Sequence, residues 1–139
     1  MNVQGKKILL VDDDPDIVTS ISTALSDSGA ELRSCRDGTR AVEDFAQFHP
    51  DLVILDMMLP GRSGFLVLEK IKQRGAKTPK IIMITGNPGS RHKQYAATLG
   101  VDVYLNKPFR MEKLTTAVEQ LLGPPVQQPP AAPPATGKA

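Results

Sequence analysis

Three short runs of consecutive apolar residues stand out along the chain, at 8–11, 52–55 and 81–84. Each has the length of a β-strand and contains no polar position, which is the pattern of a strand buried on both faces. Two further segments, 31–36 and 101–106, mix or alternate polar and apolar residues and fit strands at the edges of a sheet. The pattern predicts a parallel sheet with three central strands and two edge strands.

Apolar residues at helical spacing fill the intervals between these strands. The first helix is expected to begin at Pro15, which suits a first turn, and to be capped at its end by Gly29. The segment 90–99 offers little apolar surface, so we expect a loosely held fourth helix there. The remaining helices are marked by residues 41–48, 65–71 and 111–122.

Strand and helix therefore alternate five times, and right-handed crossovers place helices on both faces of the sheet. The predicted fold is a doubly wound α/β domain with a five-stranded parallel sheet and five helices, over residues 1–122. The chain of 139 residues is 40% hydrophobic and 23% charged, as in one ordinary globular domain. Residues 123–139 are rich in proline and alanine, so we expect a disordered tail or linker there.

Charge and cysteine content exclude several classes of protein. The whole chain carries 17 basic and 15 acidic residues, and Lys138 is the only charge beyond position 122. Such a balance gives no field for binding nucleic acid directly. No run approaches the ~20 apolar residues needed to cross a bilayer, and the single Cys35 cannot form an internal disulfide. We expect a cytoplasmic protein that does not interact with membranes.

Polar residues follow four of the predicted strands at the edge where open parallel sheets bind ligands. They are Asp12, Asp13 and Asp14 after the first strand, Asp56 after the third, Thr85 after the fourth and Lys107 after the fifth. Two carboxylates about 4 Å apart repel by roughly 4 kcal/mol at an effective dielectric of about 20, so the cluster requires a cation. A few hard oxygen ligands suit Mg²⁺, whereas Lys107 and Thr85 suit phosphoryl oxygens.

Asp56 is the candidate nucleophile of this edge. An aspartate carboxylate can accept a phosphoryl group as an acyl phosphate, with metal and lysine charges stabilising the transfer. Asp56 stands alone after the central strand, whereas Asp12 and Asp13 form a pair suited to holding a metal. Asp14, directly before Pro15, is expected to cap the first helix.

Four motifs in this order resemble the response-regulator receiver family over residues 6–122. They are Val-Asp-Asp-Asp-Pro at 11–15, Leu-Asp-Met-Met-Leu-Pro-Gly at 55–61, Thr85 with Gly86, and Lys107-Pro108-Phe109. Each lies at the end of a predicted strand, which makes the combination specific. The resemblance implies a flavodoxin-like strand order of 2-1-3-4-5 and a cis peptide bond before Pro108.

The resemblance also implies a role for each residue of the edge. Asp56 is the phosphoacceptor and Lys107 contacts the phosphoryl group. Thr85 moves toward the phosphoryl oxygen while Tyr104 turns inward as the coupled switch aromatic. The implied ligands of Mg²⁺ are Asp12, Asp13, Asp56 and the backbone carbonyl of Met58. Before the resemblance is considered, the polar neighbours of Tyr104 in the sequence favour an exposed ring.

A phosphorylation-activated switch in a two-component phosphorelay is the function that the resemblance implies. A histidine kinase or a histidine phosphotransfer protein supplies the phosphoryl group, and the fourth helix, fifth strand and fifth helix signal to a downstream effector protein or domain. Such a protein is not an enzyme with turnover, because it catalyses only its own Mg²⁺-dependent phosphoryl uptake and slow autodephosphorylation. A phosphorylation-dependent dimer, and a receiver cut from a larger regulator or hybrid kinase, remain open.

Other phosphate-binding and cofactor-binding classes fit the residues less well. A haloacid-dehalogenase-like phosphatase would use Asp12 as nucleophile and Asp14 as acid, but Asp16 stands where that family has Thr or Val, and Asp56 has no role. A flavodoxin-like cofactor binder needs a first loop of hydroxyls and backbone donors, and the three aspartates would repel the flavin phosphate. The nucleotide-binding pattern Gly-x-x-x-x-Gly-Lys-Ser/Thr does not occur in the chain.

Overall fold

A computed structural model describes residues 3–59, 63–73, 78–86 and 90–123, with the side chains of 90–93 left aside. Strands and helices alternate along it as expected. They are β1 (Lys7–Val11), α1 (Pro15–Ala24), β2 (Glu31–Cys35), α2 (Gly38–Phe48), β3 (Leu52–Asp56), α3 (Gly64–Gln73), β4 (Lys80–Thr85), α4 (Ser90–Thr98), β5 (Val103–Asn106) and α5 (Met111–Leu122). The tail predicted at 123–139 lies outside the described residues apart from Gly123.

The five strands form one parallel sheet in the order β2-β1-β3-β4-β5. The three apolar runs are the central strands β1, β3 and β4, and the two more polar segments are the edges, as predicted. Leu10 pairs with Ile54 across β1 and β3, and Asp56 pairs with Ile84 across β3 and β4. This register places the ends of β1, β3 and β4 side by side.

Each face of the sheet has its own apolar core, because successive side chains of a strand point to opposite faces. Leu9 and Val53 belong to the cluster shared with α2, α3 and α4, whereas Ile8 and Ile54 belong to the cluster shared with α1 and α5. Burial of both clusters drives helices onto both faces of the sheet. The doubly wound α/β fold predicted from the sequence is confirmed.

Two carboxylates bind backbone N–H groups at the amino ends of the strands. Oδ2 of Asp51 accepts a hydrogen bond from the Lys7 N–H at 2.9 Å, and Oδ2 of Asp102 accepts one from the Ile81 N–H at 2.8 Å. Each carboxylate belongs to the segment just before a strand and binds the neighbouring strand. They satisfy backbone donors at the edge opposite to the candidate site.

The end of α1 differs from the prediction. The helix ends at Ala24 with Leu25 as its cap, and Gly29 lies four residues further on, at φ +84°, in the turn that enters β2. The Ser28 hydroxyl donates to the Leu25 carbonyl at 2.7 Å, and the Ser28 N–H donates to the same oxygen at 3.1 Å. Because Ser28 satisfies this carbonyl, the chain leaves the helix before it reaches the glycine.

Helix α4 packs sparingly on the sheet, in keeping with the prediction. Among its described side chains only Ala96 is buried. Tyr95 is partly exposed and meets the Phe65 ring of α3 edge to face, with centroids 5.0 Å apart, while its hydroxyl donates to Glu69. Among the described helices, none combines the length and the apolar character that a membrane span requires.

Candidate functional site

The loop after β1 presents Asp12 and Asp13 at the carboxyl edge of the sheet. Oδ1 of Asp12 accepts the Asp14 N–H at 2.9 Å, which fixes the Asp12 side chain. Oδ1 of Asp14 accepts the Asp16 N–H at 2.9 Å, so Asp14 is the N-cap of α1, as predicted. Of the three consecutive aspartates, the first two belong to the site and the third starts the helix.

Three carboxylates converge at this edge. Asp12, Asp13 and Asp56 each offer an oxygen, and these atoms all lie within 4.8 Å of one another. Asp12 is fully buried, Asp56 is 3% exposed and Asp13 is exposed, so the cluster has a solvent-facing side. Oδ2 of Asp12 is buried and forms no hydrogen bond among the described residues, although the Lys107 ammonium lies 3.4 Å away. A buried carboxylate oxygen without a hydrogen bond, in an all-oxygen cluster, fits a hard divalent cation such as Mg²⁺.

Lys107 brings a positive charge to the cluster from the end of β5. Its Nζ lies 3.2 Å from Oδ2 of Asp56 and 3.4 Å from Oδ2 of Asp12. The backbone N–H of Lys107 donates to the Thr85 carbonyl at 2.7 Å. The peptide bond between Lys107 and Pro108 is cis, as the resemblance implies. Burial lowers the pKa of Lys107, but the charges of Asp12 and Asp56 outweigh that effect and raise it above its ordinary value.

The carboxyl group of Asp12 is poorly stabilised in its charged form. Its pKa is raised from 3.8 to about 6, chiefly by burial and also by the negative charge of Asp56. The Asp14 N–H and Lys107 oppose it without cancelling it. Protein groups alone therefore leave negative charge uncompensated in the cluster, which a bound cation would neutralise.

Asp56 is the last residue of β3, and its carboxylate is held from two sides. Oδ1 accepts the Met58 N–H at 3.1 Å, and Oδ2 faces Lys107. Met58 follows in the loop and is 66% exposed. The structure thus places the proposed phosphoacceptor beside the acidic pair and the lysine that the sequence predicts for it.

Thr85 and Tyr104 lie on neighbouring strands beside this cluster. Thr85, the last residue of β4, is fully buried and pairs with Asn106 of β5. The prediction of an exposed Tyr104 ring, from its polar neighbours, is wrong: the residue is half-buried against the cluster on the α2, α3 and α4 side, and its hydroxyl oxygen is buried. Burial raises the pKa of Tyr104, and the nearby Thr85 side chain partly opposes that shift.

A five-stranded parallel sheet in this order, with carboxylates and a lysine at its carboxyl edge, defines a receiver-type signalling domain. The sequence model of the response regulator receiver domain matches residues 8–119, so the chain belongs to this family. Response regulator receivers are components of two-component regulatory systems. The family resemblance predicted from the four motifs is confirmed.

Curated relatives are longer proteins. The transcriptional regulatory protein CiaR of Streptococcus pneumoniae is 37% identical over 116 residues, which are 84% of this chain and 51% of CiaR. The alkaline phosphatase synthesis transcriptional regulatory protein PhoP of Bacillus subtilis is 35% identical over 118 residues, which are 85% of this chain and 49% of PhoP. The chain therefore spans about half the length of the curated relatives it matches.

Solved receiver structures share the fold. The BeF3-activated receiver domain of Klebsiella pneumoniae RstA matches with a TM-score of 0.76 at 29% identity, covering 84% of this chain and 97% of that one. The chemotaxis protein CheY4 of Vibrio cholerae matches with a TM-score of 0.76 at 30% identity, covering 84% of this chain and 98% of that one. The strand order predicted from the resemblance is confirmed.

Proposed function

We propose that this chain is a phosphorylation-activated receiver that accepts a phosphoryl group on Asp56 from a histidine kinase or a histidine phosphotransfer protein. The observation that carries the proposal is the position of Lys107 Nζ, 3.2 Å from Oδ2 of Asp56 and within reach of Asp12. A phosphoryl group on Asp56 would lie next to this ammonium. The same cluster offers a cation the oxygens of Asp12, Asp13 and Asp56, and the Met58 carbonyl is the fourth proposed ligand.

Transfer to Asp56 needs a free carboxylate oxygen and charge stabilisation. One Asp56 oxygen forms the bond to phosphorus while the bond from phosphorus to the donor's imidazole nitrogen breaks and its electron pair stays with the imidazole. Bound Mg²⁺ supplies positive charge to the phosphoryl oxygens. Lys107 contributes a second positive charge from the protein, and the buried Thr85 is the hydroxyl donor on the adjacent strand. The product is a phosphoprotein that hydrolyses slowly, so the chain is a switch without substrate turnover.

The output we propose is a change in the surface formed by α4, β5 and α5. Thr85 moves toward the phosphoryl oxygen, and Tyr104 occupies the inward position that is coupled to it. The buried Tyr104 hydroxyl, and the position of Tyr104 on the strand that pairs with the strand carrying Thr85, support this coupling. The altered surface binds a downstream effector protein or domain, and it also offers a route to a phosphorylation-dependent dimer.

The effector is part of the same proposal. The matched relatives are named as transcriptional regulators and extend well beyond the aligned region. We propose that this receiver controls such an effector, in the same polypeptide or in a separate one, and contacts neither nucleic acid nor membrane itself. A receiver belonging to a larger regulator or hybrid kinase is the alternative arrangement. In either case we place the reaction in the cytoplasm.

A phosphatase that uses Asp12 as nucleophile is less well supported. In that reading Asp14 is the general acid, but Oδ1 of Asp14 accepts the Asp16 N–H as the cap of α1. Asp12 is fully buried, whereas Asp56 is 3% exposed and its Oδ2 lies 3.2 Å from Lys107 Nζ, against 3.4 Å for Asp12. These contacts favour Asp56 as the acceptor.

Intact-protein mass spectrometry tests the proposal directly. The native chain, Asp56→Asn and the exposed control Asp27→Asn are incubated with acetyl phosphate, with and without Mg²⁺. We expect one phosphoryl adduct on the native chain and on Asp27→Asn, and none on Asp56→Asn or without metal. An adduct that persists on Asp56→Asn would move the nucleophile to the loop after β1 and favour the phosphatase. If no chain formed an adduct, the protein would be a binding scaffold that does not accept a phosphoryl group, and the proposal would be wrong.

A further inference from the structure

Gly64, the first residue of α3, packs directly against the backbone of the phosphoacceptor. Its N–H donates to the Met57 carbonyl at 2.8 Å. A Cβ atom at this position would lie 2.7 Å from Cα of Met57 and still closer to the carbonyl oxygen of Asp56. Real Cβ atoms essentially never come within 3.0 Å of such neighbours. Any side chain at position 64 therefore displaces backbone.

Both elements at this contact are held in place by other interactions. On the strand side, the Met57 N–H donates to the Ile84 carbonyl at 2.8 Å, which ties the end of β3 to β4. On the helix side, α3 is anchored in the core by buried side chains, which are Val67, Leu68 and Ile71. The part that can yield is the short turn that follows β3.

That turn orients the Asp56 carboxylate. The Met58 N–H donates to Oδ1 of Asp56 at 3.1 Å, which leaves Oδ2 facing Lys107. A shift of the turn would rotate the carboxylate relative to both Lys107 and the acidic pair. We propose that Gly64 is a positioning residue for phosphoryl transfer: the close approach of α3 to β3 sets the orientation of Asp56. This inference rests on the proposed function of Asp56.

The test compares Gly64→Ala with a control in the same helix. Ile71→Val removes one buried methylene from α3 about two turns away from Gly64, so it lowers stability without touching the turn. Phosphorylation by acetyl phosphate is followed by intact mass at saturating donor and saturating Mg²⁺, at a temperature where both variants are folded. The Mg²⁺ dissociation constant is measured separately by titration calorimetry.

We expect Gly64→Ala to phosphorylate about 10-fold more slowly or worse, since misplacing a reacting group by about 1 Å costs up to about 100-fold in rate. Its Mg²⁺ dissociation constant should rise several-fold, because Asp56 is one of the three clustered carboxylates. Ile71→Val should keep the native rate and the native Mg²⁺ affinity. If Gly64 contributed to stability alone, the two folded variants would have equal phosphorylation rates and equal Mg²⁺ dissociation constants.

The outcomes separate this inference from the proposed function. A native chain that takes up no phosphoryl group contradicts the proposed function, and the Mg²⁺ affinities of the two variants then still decide whether Gly64 positions Asp56. A folded Gly64→Ala with native rate and native Mg²⁺ affinity overturns the positioning role. A rate loss shared equally by Ile71→Val overturns it as well.

A second variant covers the case in which Gly64→Ala does not fold. The Ser63 hydroxyl oxygen accepts the Leu66 N–H at 3.3 Å in the first turn of α3. Ser63→Ala loosens that turn without adding bulk near Asp56. We expect a fall of about two- to threefold in the phosphorylation rate with a folded protein. An unchanged rate in Ser63→Ala contradicts the role assigned to the start of α3.

Discussion

The ammonium of Lys107 lies 3.2 Å from the Asp56 carboxylate and 3.4 Å from that of Asp12. One lysine thus partly neutralises two carboxylates that would otherwise repel each other. A phosphoryl group on Asp56 would compete for the same ammonium and draw it away from Asp12. Lys107 directly follows β5, the strand that carries Tyr104, so we expect this movement to alter the end of that strand.

Replacing Lys107 should separate phosphorylation from its structural consequence. In Lys107→Gln we expect phosphorylation to slow by about 10- to 100-fold, because one of the charges that stabilise the transfer is lost. The phosphoprotein that does form should lack the chemical-shift changes of Tyr104 and α4 that we expect NMR to show for the phosphorylated native chain. The exposed Lys113→Gln on α5 is the matched control and should behave as native. Native-like shifts in phosphorylated Lys107→Gln would contradict the role given to Lys107.

At low ionic strength without Mg²⁺, the free energy of unfolding should depend on pH because the pKa of Asp12 is raised in the folded state. Burial raises its pKa from 3.8 to about 6, so between these values the folded state holds a proton that the unfolded state has released. This group therefore lowers the free energy of unfolding as pH rises from about 4 to about 6. At pH 7 we expect the free energy of unfolding of Asp12→Asn, measured by urea denaturation, to exceed that of the native chain by on the order of 1–3 kcal/mol.

Two further conditions check that assignment. The excess stability of Asp12→Asn should shrink at pH 4, because the native Asp12 is protonated in the folded state there and no buried negative charge remains. It should also shrink when Mg²⁺ is added at pH 7, because the native cluster binds the cation more tightly than the variant. A difference that is independent of both pH and Mg²⁺ would rule out uncompensated charge as its cause.

His49 at the end of α2 is a site where glycine should stabilise the fold. Its φ is +54°, in the left-handed region that side chains with a Cβ disfavour, and its own side chain is exposed. We expect His49→Gly to raise the free energy of unfolding by about 0.5–1 kcal/mol. Gly29→Ala is the opposite control, since Gly29 has φ +84° and an added Cβ would lie 2.9 Å from Cα of Gln4. Chemical denaturation that ranks the two variants in the reverse order would refute this argument.

Asp102 should contribute to stability through the strand that it binds. Its Oδ2 accepts the Ile81 N–H at 2.8 Å, so Asp102→Ala leaves that donor without its partner. The expected loss is about 1–2 kcal/mol in the free energy of unfolding. Asp102→Asn keeps an acceptor oxygen and should lose less than half as much. Equal losses in the two variants would show that the negative charge, and not the hydrogen bond, is what matters.

The sheet and the members of the site could be predicted because each depends on local sequence. A run such as 52–55, apolar at every position, fits only a strand covered on both faces, and the residue after it must lie at the ligand-binding edge. Asp56 and Lys107 could therefore be assigned to one edge although 51 positions separate them in the chain. Asp14 could be predicted as a helix cap because it directly precedes Pro15, the first residue of α1.

Contacts between distant segments could not be predicted in this way. Tyr104 alternates with polar neighbours, yet its ring is half-buried because the other face of β5 is also covered by helices. The end of α1 depends on the Ser28 hydroxyl, which closes the turn before Gly29 is reached. The contact of Gly64 with Asp56 arises from the approach of a helix to a strand, and one glycine in the sequence carries no signal of it.

The sparse packing of α4 implies that the proposed switch requires only a small change in free energy. Tyr95 is partly exposed, and Ala96 is the one residue with a described and buried side chain in this helix. We expect two positions of a helix with so few buried groups among its described side chains to differ by only a few kcal/mol, which would populate both before any signal arrives. A hydrogen bond to a charged group contributes about 1.5–3 kcal/mol. Two such bonds, from Thr85 and Lys107 to a single phosphoryl group, would together contribute about 3–6 kcal/mol and so invert the ratio of the two populations.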